Sequence, residues 1–422
     1  MKLKEYIHIN PPVELIKNKE YPFVEMKDIE PFNKIVLSNH TKKFSGSGSK
    51  FINGDTLLAR ITPCLENGKT SQFKSEKNVP AWGSTEFIVL RAKKNLTDSD
   101  FVYYLSTFEE FRNYAIKNMI GTSGRQRVPS NLIGEFEYDL PDLPTQKIIA
   151  QILSNLDKKI EINKKLNSKL EETAFTLFKS WFVNFDPVQD KIKKRSTSLS
   201  KEIENLFPDT FENSKLGKIP KGWRVSRIGE IFEIQKGSTP STKETKFWEP
   251  GIYDWVSPKD LSRSNSIYLT SYSRKISDEG IKKIKSKLCP SGTVLMSSRA
   301  PIGYLGISTS LISLGTGIFA ILNNKNTSSG LIYFLIKNEI KKLKQLSIGT
   351  TFEEISKKIF EDFEIIYPNK EFLNGTKNIF DNFFNKIKLN TLEIKTLEEI
   401  RNFILPKMIK GELKITISKN SN

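Results

Sequence analysis

The chain has 422 residues, 37% of them hydrophobic and 27% charged, a soluble balance with length for two or three domains of ~100 to 200 residues each. No apolar run reaches the ~18 residues of a membrane span, and Met1 to Asn10 lacks the apolar stretch of a secretory leader, so a cytoplasmic location is expected. Two cysteines, Cys64 and Cys289, make no disulfide framework, and two histidines, His8 and His40, do not fill the usual zinc spacings.

Charge gives the first positive signal. Lys and Arg number 66 against 48 Asp and Glu, a net charge of +18, which attracts polyanions and, in a cytosolic protein, nucleic acid first. The excess is uneven: +3 over residues 1–140, +2 over 141–185, zero over 186–215, +10 over 216–370 and +3 over 371–422. A Lys-rich composition bias is the competing explanation.

In chain order, residues 1–140 read as a mixed, turn-rich domain. Lys42-Lys43-Phe44-Ser45-Gly46-Ser47-Gly48-Ser49-Lys50 is a basic, hydroxyl-rich loop, Glu86 to Leu90 a strand and Asp100 to Ile116 a helix. Gly121 to Arg127 is a second loop, ending Arg125-Gln126-Arg127. Residues 141–185 carry a long helix whose inward positions Ile149, Ile152, Leu156, Ile160, Asn163, Asn167, Leu170, Ala174, Leu177 and Trp181 step by three or four, as a seam against a partner helix does. Residues 186–215 are polar, charge-balanced and read as a connector.

A second domain is expected over 216–370. Its loop Gln235 to Lys243 holds Lys236, Ser238, Thr239 and Lys243; strands are expected at Thr293 to Met296 and Gly317 to Leu322, and a helix at Gly330 to Leu346. A second long helix, over 371–415, repeats the seam at Ile379, Phe383, Ile387, Asn390, Ile394, Leu397, Arg401 and Ile404.

The chain is a tandem duplication. A shift of 227 places sets Ile152 to Phe178 on Ile379 to Leu405 with eight identities in 27, among them Asn163/Asn390 and Leu170/Leu397. A buried Asn at one seam position fixes register at a cost in stability. Upstream, Ile120-Gly121-Thr122 meets Ile348-Gly349-Thr350, and Gly54 to Pro63 resembles Gly292 to Pro301, with Arg60 set on Arg299 by one extra residue in the second copy. The first copy has no obvious counterpart of Gly222-Trp223-Arg224-Val225.

Catalytic groups do not assemble in this sequence. Gly68-Lys69-Thr70 ends like a phosphate-binding loop but has Pro63 where the first glycine is needed. Asn10-Pro11-Pro12-Val13 lacks the aromatic that stacks a target base in adenine methyltransferases, and Pro208-Asp209 with Glu212 lacks a nuclease's Glu-x-Lys spacing. No metal site or nucleophile with a base partner is expected. Material for recognition remains: Arg contacts guanine, Gln contacts adenine, and Ser, Lys and backbone amides hold phosphates. Arg60 and Arg299 fit a DNA contact and a structural ion pair equally well.

Leu140-Pro-Asp-Leu-Pro-Thr-Gln146, Leu156 to Asn163 and Leu177-Phe-Lys-Ser-Trp-Phe-Val-Asn-Phe-Asp-Pro187 together resemble the central helix of type I restriction-modification specificity subunits. Leu206 to Phe211, Leu216-Gly-Lys-Ile-Pro-Lys-Gly-Trp223, Trp255-Val-Ser-Pro-Lys-Asp260 and Ala59 to Lys69 extend the resemblance over nearly the whole chain, in the family's order. It implies an α+β fold: two mixed α/β target-recognition domains separated by an antiparallel, coiled-coil pair of long helices. It further implies that the chain binds double-stranded DNA with a split target and is not itself an enzyme. Two methyltransferase subunits using S-adenosylmethionine, and a restriction subunit using ATP and Mg2+, would dock on it.

The expected DNA-contacting residues are Lys42, Lys43, Ser47, Lys50, Arg60, Lys69, Arg125, Gln126 and Arg127 in the first domain. In the second they are Lys236, Ser238, Thr239, Lys243, Lys259 and Arg299. Leu156, Ile160, Asn163, Leu170, Trp181, Phe383, Ile387, Asn390 and Leu397 are expected in the helix seam and subunit docking. The competing readings are a protein scaffold, which leaves the basic third quarter unexplained, and a stand-alone methyltransferase or nuclease, which lacks its motifs.

Overall fold

The structure is a computed structural model; it describes residues 1–413 except 76–77, 285–286, 300, 324–326 and 348–352. The repeat partner Ile348-Gly349-Thr350 lies outside the described residues. The chain divides into two compact units, Met1–Glu161 with Thr396–Asn422, and Ile162–Lys395.

In the first unit a five-stranded sheet has the spatial order Ile7–Ile9, Phe87–Ala92, Thr56–Ala59, Thr70–Lys74, Ile35–Leu37. A four-stranded sheet has the order His40–Lys43, Glu20–Val24, Ala81–Gly83, Ser49–Phe51. Phe87, Ile88, Val89 and Leu90 are all buried, which is why this strand reads as an unbroken apolar run with no alternation. The helix expected from Asp100 to Ile116 is two helices, Ser99–Thr107 and Glu109–Lys117. Asp98 caps the first by accepting the amides of Asp100 and Phe101. Phe108 breaks the run because it takes extended backbone with its ring in the core.

The second unit repeats this topology. Its five-stranded sheet is Glu233–Lys236, Ile318–Leu322, Val294–Ser297, Leu305–Ser308, Tyr268–Leu269, and its three-stranded sheet is Arg274–Ile276, Tyr253–Val256, Ile312–Leu314. In each smaller sheet one strand pairs in parallel on one side and antiparallel on the other. The helix Ser329–Gln345 follows, with the Ser328 hydroxyl accepting the Leu331 amide as its cap.

The ladders correct the alignment of the repeats. Ala59 opposes Phe87 in the first copy and Ser297 opposes Ile318 in the second, so Arg60 corresponds to Ser298, and Ile61 to Arg299, with no extra residue. Matching arginine with arginine places the two one position out of step, and in a strand one position reverses the face. The second copy's opening strand Arg224–Arg227 pairs with Glu364–Tyr367, whereas the first copy keeps a single bridge, Lys2 to Glu137. The short helix that follows is present in both, as Leu3–Tyr6 and Ile228–Ile231.

The long helices are Leu143–Phe178 and Lys370–Ile409, and they pack antiparallel. In the second unit Asn163 donates to Glu393 at 2.9 Å, Asn167 to Thr391 at 3.1 Å, and Asn390 to Asn167 at 2.9 Å. Ile160, Asn163, Ile387 and Asn390 are buried, and Leu156, Leu170, Phe383 and Leu397 are half-buried. The buried stripe is displaced by one residue in places: Leu153 and Phe178 are buried where Ile152 and Leu177 are half-buried, and Phe380 and Phe384 where Ile379 and Phe383 are. These residues also pack on the domain helices, which turns the apolar face beyond the two-helix seam. Trp181 stands in a π turn, Lys179–Val183, against Phe207, Phe372 and Phe380. The expected connector holds a helix, Asp186–Ile192, and the strand Phe211–Ser214 that pairs with Gly217–Pro220.

Candidate nucleic-acid interface

In the first domain the basic loop at 42–50 is the end of two strands and the turn between them. Lys42 and Lys50 stand on strands of the four-stranded sheet, over a cluster of Tyr21, Phe23, Phe44 and Trp82. The Lys42 ammonium lies 4.1 Å from the Phe23 ring centre and donates to Glu25 at 2.6 Å; that of Lys50 lies 5.1 Å from Phe44. Lys27 and Lys42 together draw the Glu25 carboxyl down to about 2. Lys19, which sequence reasoning missed, rides Tyr21 in the same way at 5.8 Å. Lys43 and Ser47 are exposed at the edge of this patch. Cations seated on rings keep their heads in water while their stems cover apolar surface.

A second group forms around residues 60–62. Arg127 pairs across a narrow bridge with both Ile61 and Ile120, and the Gln126 carbonyl accepts the Thr62 amide. The loop Gly121 to Arg127 is thereby closed and fastened beside Arg60. Arg127 grips Glu86 with two nitrogens, at 2.8 and 3.0 Å, while Arg125 is exposed. Arg60 is half-buried. Lys69 turns inward, donating to the Met26 carbonyl at 2.8 Å, which is a structural bond.

In the second domain the structure brings most of the expected residues together. A Cβ on Gly237 would stand 2.1 Å from the Gly315 carbonyl oxygen, so only glycine lets the loop at 236–239 lie against 315–317. There the Thr239 and Thr316 hydroxyls bond at 2.8 Å. Arg299 crosses Gly317 beside Pro258, next to exposed Lys259. Glu354 joins the group by an ion pair with Lys236 at 3.1 Å and a longer one with Arg299 at 4.0 Å. Ser238, Trp255 and Ser298 each hold a buried polar atom with no protein partner here. Lys243 is exposed on the same loop, beyond this cluster. Trp255 opens the motif that holds Lys259 without standing out as a contact, whereas Glu354 and Thr316 could not be read from the sequence, because Glu354 is 118 residues from Lys236 and Thr316 is 77 from Thr239.

One difference follows from the ladder equivalence. Ile61 bridges Arg127 in the first domain, and its counterpart Arg299 bridges Glu354 in the second. The same backbone position therefore carries a cation in one domain and a carboxylate in the other.

Among the described residues no group of three or more His, Cys, Asp or Glu side chains is placed to hold a metal ion, and no helix is long and apolar enough to cross a membrane. Burial pushes the Cys289 thiol up to about 12, so it is inert as a nucleophile.

The family model described as the type I restriction modification DNA specificity domain matches residues 4–172 and 220–401, once for each copy. The chain belongs to the type I restriction-modification specificity subunits. It resembles the type I restriction enzyme HindI specificity subunit of Haemophilus influenzae, at 26% identity over 89% of this chain and 90% of that one. The MjaIX specificity subunit of Methanocaldococcus jannaschii is 34% identical over 45% of this chain and 44% of its own length. In fold it is similar to the crystal structure of a type I system S subunit from M. genitalium, with a TM-score of 0.54 and 15% identity over 99% of this chain and 96% of that one. A specificity subunit selects the DNA sequence for its complex and is itself non-catalytic, so the basic loops described above belong to a recognition protein.

Proposed function

We propose that each domain of this specificity subunit reads one half of a split double-stranded DNA target. The observation that carries this is the duplication: two domains of one topology, each with basic side chains gathered at the end of the same central strands. In the first domain Arg125, Gln126, Arg127 and Arg60 meet DNA, with Lys42, Lys43, Ser47 and Lys50 on phosphates. In the second, Lys236, Ser238, Thr239, Lys243, Lys259 and Arg299 do so. Lys69 is the weakest member, since its ammonium is already bonded inward. Domain limits at 140, 185, 215, 370 and 415 go with this reading. Two methyltransferase subunits carrying S-adenosylmethionine, and a restriction subunit carrying ATP and Mg2+, complete the complex on the long helices.

The test is the methylated sequence in cells that carry the cognate methyltransferase subunits. Two short specific blocks separated by unread bases are expected, with substitutions at Arg125 to Arg127 relaxing only one block and substitutions at Lys236 or Arg299 only the other. A single continuous block, or relaxation of both blocks by one substitution, overturns the reading.

A further inference from the structure

Where the first domain rests on the helices, a largely enclosed set of charges, with the Asp100 side chain 35% exposed, lies beside the apolar packing of Phe101, Leu105, Ile149 and Leu153. Lys34, 8% exposed, donates to Ser154 at 2.6 Å and lies 3.2 Å from Asp100. The Tyr104 hydroxyl donates to Asp157 at 2.6 Å, and Arg401 of the second long helix donates to the other Asp157 oxygen at 2.7 Å. The Lys34 ammonium also lies 4.9 Å from the Tyr104 ring centre. Asp157 and Arg401 are 13% and 14% exposed. Two cations and two carboxylates make the set neutral, and each carboxylate has a cation.

At the corresponding positions of the second copy this set is absent. Gln72 opposes Thr56 and Ile35, as Ile307 opposes Val294 and Tyr268, so Lys34 corresponds to Ile267. Counting from the caps Asp98 and Ser328, Asp100 corresponds to Gly330 and Tyr104 to Phe334. The shift of 227 sets Asp157 on Phe384 and Ala174 on Arg401. Phe334 lies 5.0 Å from Phe384, Ala174 and Ile267 belong to the same core, and a Cβ on Gly330 would stand 2.3 Å from the Phe384 ring. No aspartate fits there.

We propose that this charge set makes the first seat selective for the second copy's helix, so that two copies of the chain do not associate by pairing like helix with like. In such a pairing every first domain would meet Ala174 where Arg401 stands, leaving Asp157 buried without its cation. Every second domain would meet Arg401 where Ala174 stands, against the rings of Phe334 and Phe384. The first mismatch takes from Asp157 the guanidinium bonded to it, and the second presses a guanidinium on rings whose acidic neighbour Glu171 is already paired with Lys337; breaking an enclosed pair costs far more than a matched pair contributes. The residue pair 174/401 thus tells two otherwise repeated helices apart.

Each mismatch can be written into the full chain. Segment-resolved hydrogen exchange is read at 99–107 and 149–160 for the first seat, and at 329–345 and 372–391 for the second. Arg401→Ala is expected to speed exchange in the first seat about a hundredfold while sparing the second. Arg401→Ala with Asp157→Asn is expected to recover most of that loss, because no carboxylate is then stranded, whereas Arg401→Met is expected to recover little. In the second seat Ala174→Arg is expected to speed exchange at least about tenfold more than Ala174→Met, which adds similar bulk without charge. The proposal is overturned if Arg401→Ala leaves protection unchanged, if Arg401→Met protects as well as the neutralised double variant, or if Ala174→Met and Ala174→Arg are equal.

Discussion

At the first domain the helix Ser99–Thr107 meets the long helices through Tyr104, whose hydroxyl is bonded to Asp157. At the matching place of the second domain, Phe334 lies 5.2 Å from Phe175, 5.7 Å from Phe178 and 5.0 Å from Phe384. The backbone plan is the same, yet paired charges join the apolar packing of the first seat, whereas rings dominate the second, with the Lys337–Glu171 ion pair beside Phe175. Rings bring burial and edge-to-face attraction, so the second seat is built for stability. A buried ion pair adds little net stability, because desolvation offsets attraction, but it penalises every wrong partner. Duplication supplied two identical seats, and side-chain chemistry has made them different.

The largest effect expected is in the second seat. Phe334→Ala should cost about 3 to 5 kcal/mol, the usual loss when a core Phe is truncated, measured by denaturant unfolding of the full chain. A cost below about 1 kcal/mol would remove the ring cluster from the comparison. In the first seat Tyr104→Phe, which installs the second copy's own residue, should cost about 1.5 to 3 kcal/mol for a lost bond to a charged group. Equal or greater stability in that variant would mean that the hydroxyl is dispensable.

The candidate interfaces give a third contrast, this time in affinity. Arg299→Ala should weaken DNA binding by about 1 to 3 kcal/mol if the guanidinium reads a base, with lost discrimination confined to one half of the target. Arg127→Ala should do the same in the other half. If either guanidinium touches phosphate instead, binding to all sequences falls together and the salt slope drops by about one. A titration over salt concentration separates these, and unchanged binding in both variants removes the arginines from the interface.

The smallest effect expected is a pair of opposed pH trends. For Asp100 burial pushes the carboxyl up, but the Lys34 charge and hydrogen bond outweigh it and hold the group below its ordinary value. A depressed carboxylate contributes stability above its unfolded value near 3.8 and loses it as pH falls through the folded value. Asp381, which the 227 shift sets on Ser154, is raised by burial against the opposing Ser328 and Lys377. Its contribution is present below 3.8 and is lost as pH rises through the raised value. Asp381→Asn should therefore stabilise the chain at neutral pH, with the gain fading in acid. Asp100→Asn should destabilise at neutral pH, with the loss fading in acid. Melting temperatures from pH 3 to 7 test both, and curves of one sign would refute the contrast.

Much of the architecture was open to reading because it repeats. Apolar runs such as 318–322 and the three-and-four spacing of the long helices are local patterns, and the copies reinforced each other. What escaped depends on residues far apart. Lys34, Asp100, Asp157 and Arg401 meet only in the folded chain, and so do Glu86 with Arg127 and Glu354 with Lys236. The alignment of Arg60 with Arg299 failed for a related reason: it followed residue identity, whereas ladder hydrogen bonds follow backbone position. Seam assignments slipped by one at Leu153, Phe178, Phe380 and Phe384, because burial there answers to the domain helix as well as to the partner helix.

The inverted position, Arg127 in one domain and Glu354 in the other, limits how this protein can be re-engineered. A graft of the Gly121 to Arg127 segment into the second domain would set an arginine against Lys236 and Arg299, three cations with no carboxylate among them. The reverse graft would face Glu354's carboxylate toward Glu86. Single loops are therefore not interchangeable cassettes between the copies. A hybrid with altered sequence preference has to move the loop together with the strand ends that balance its charge.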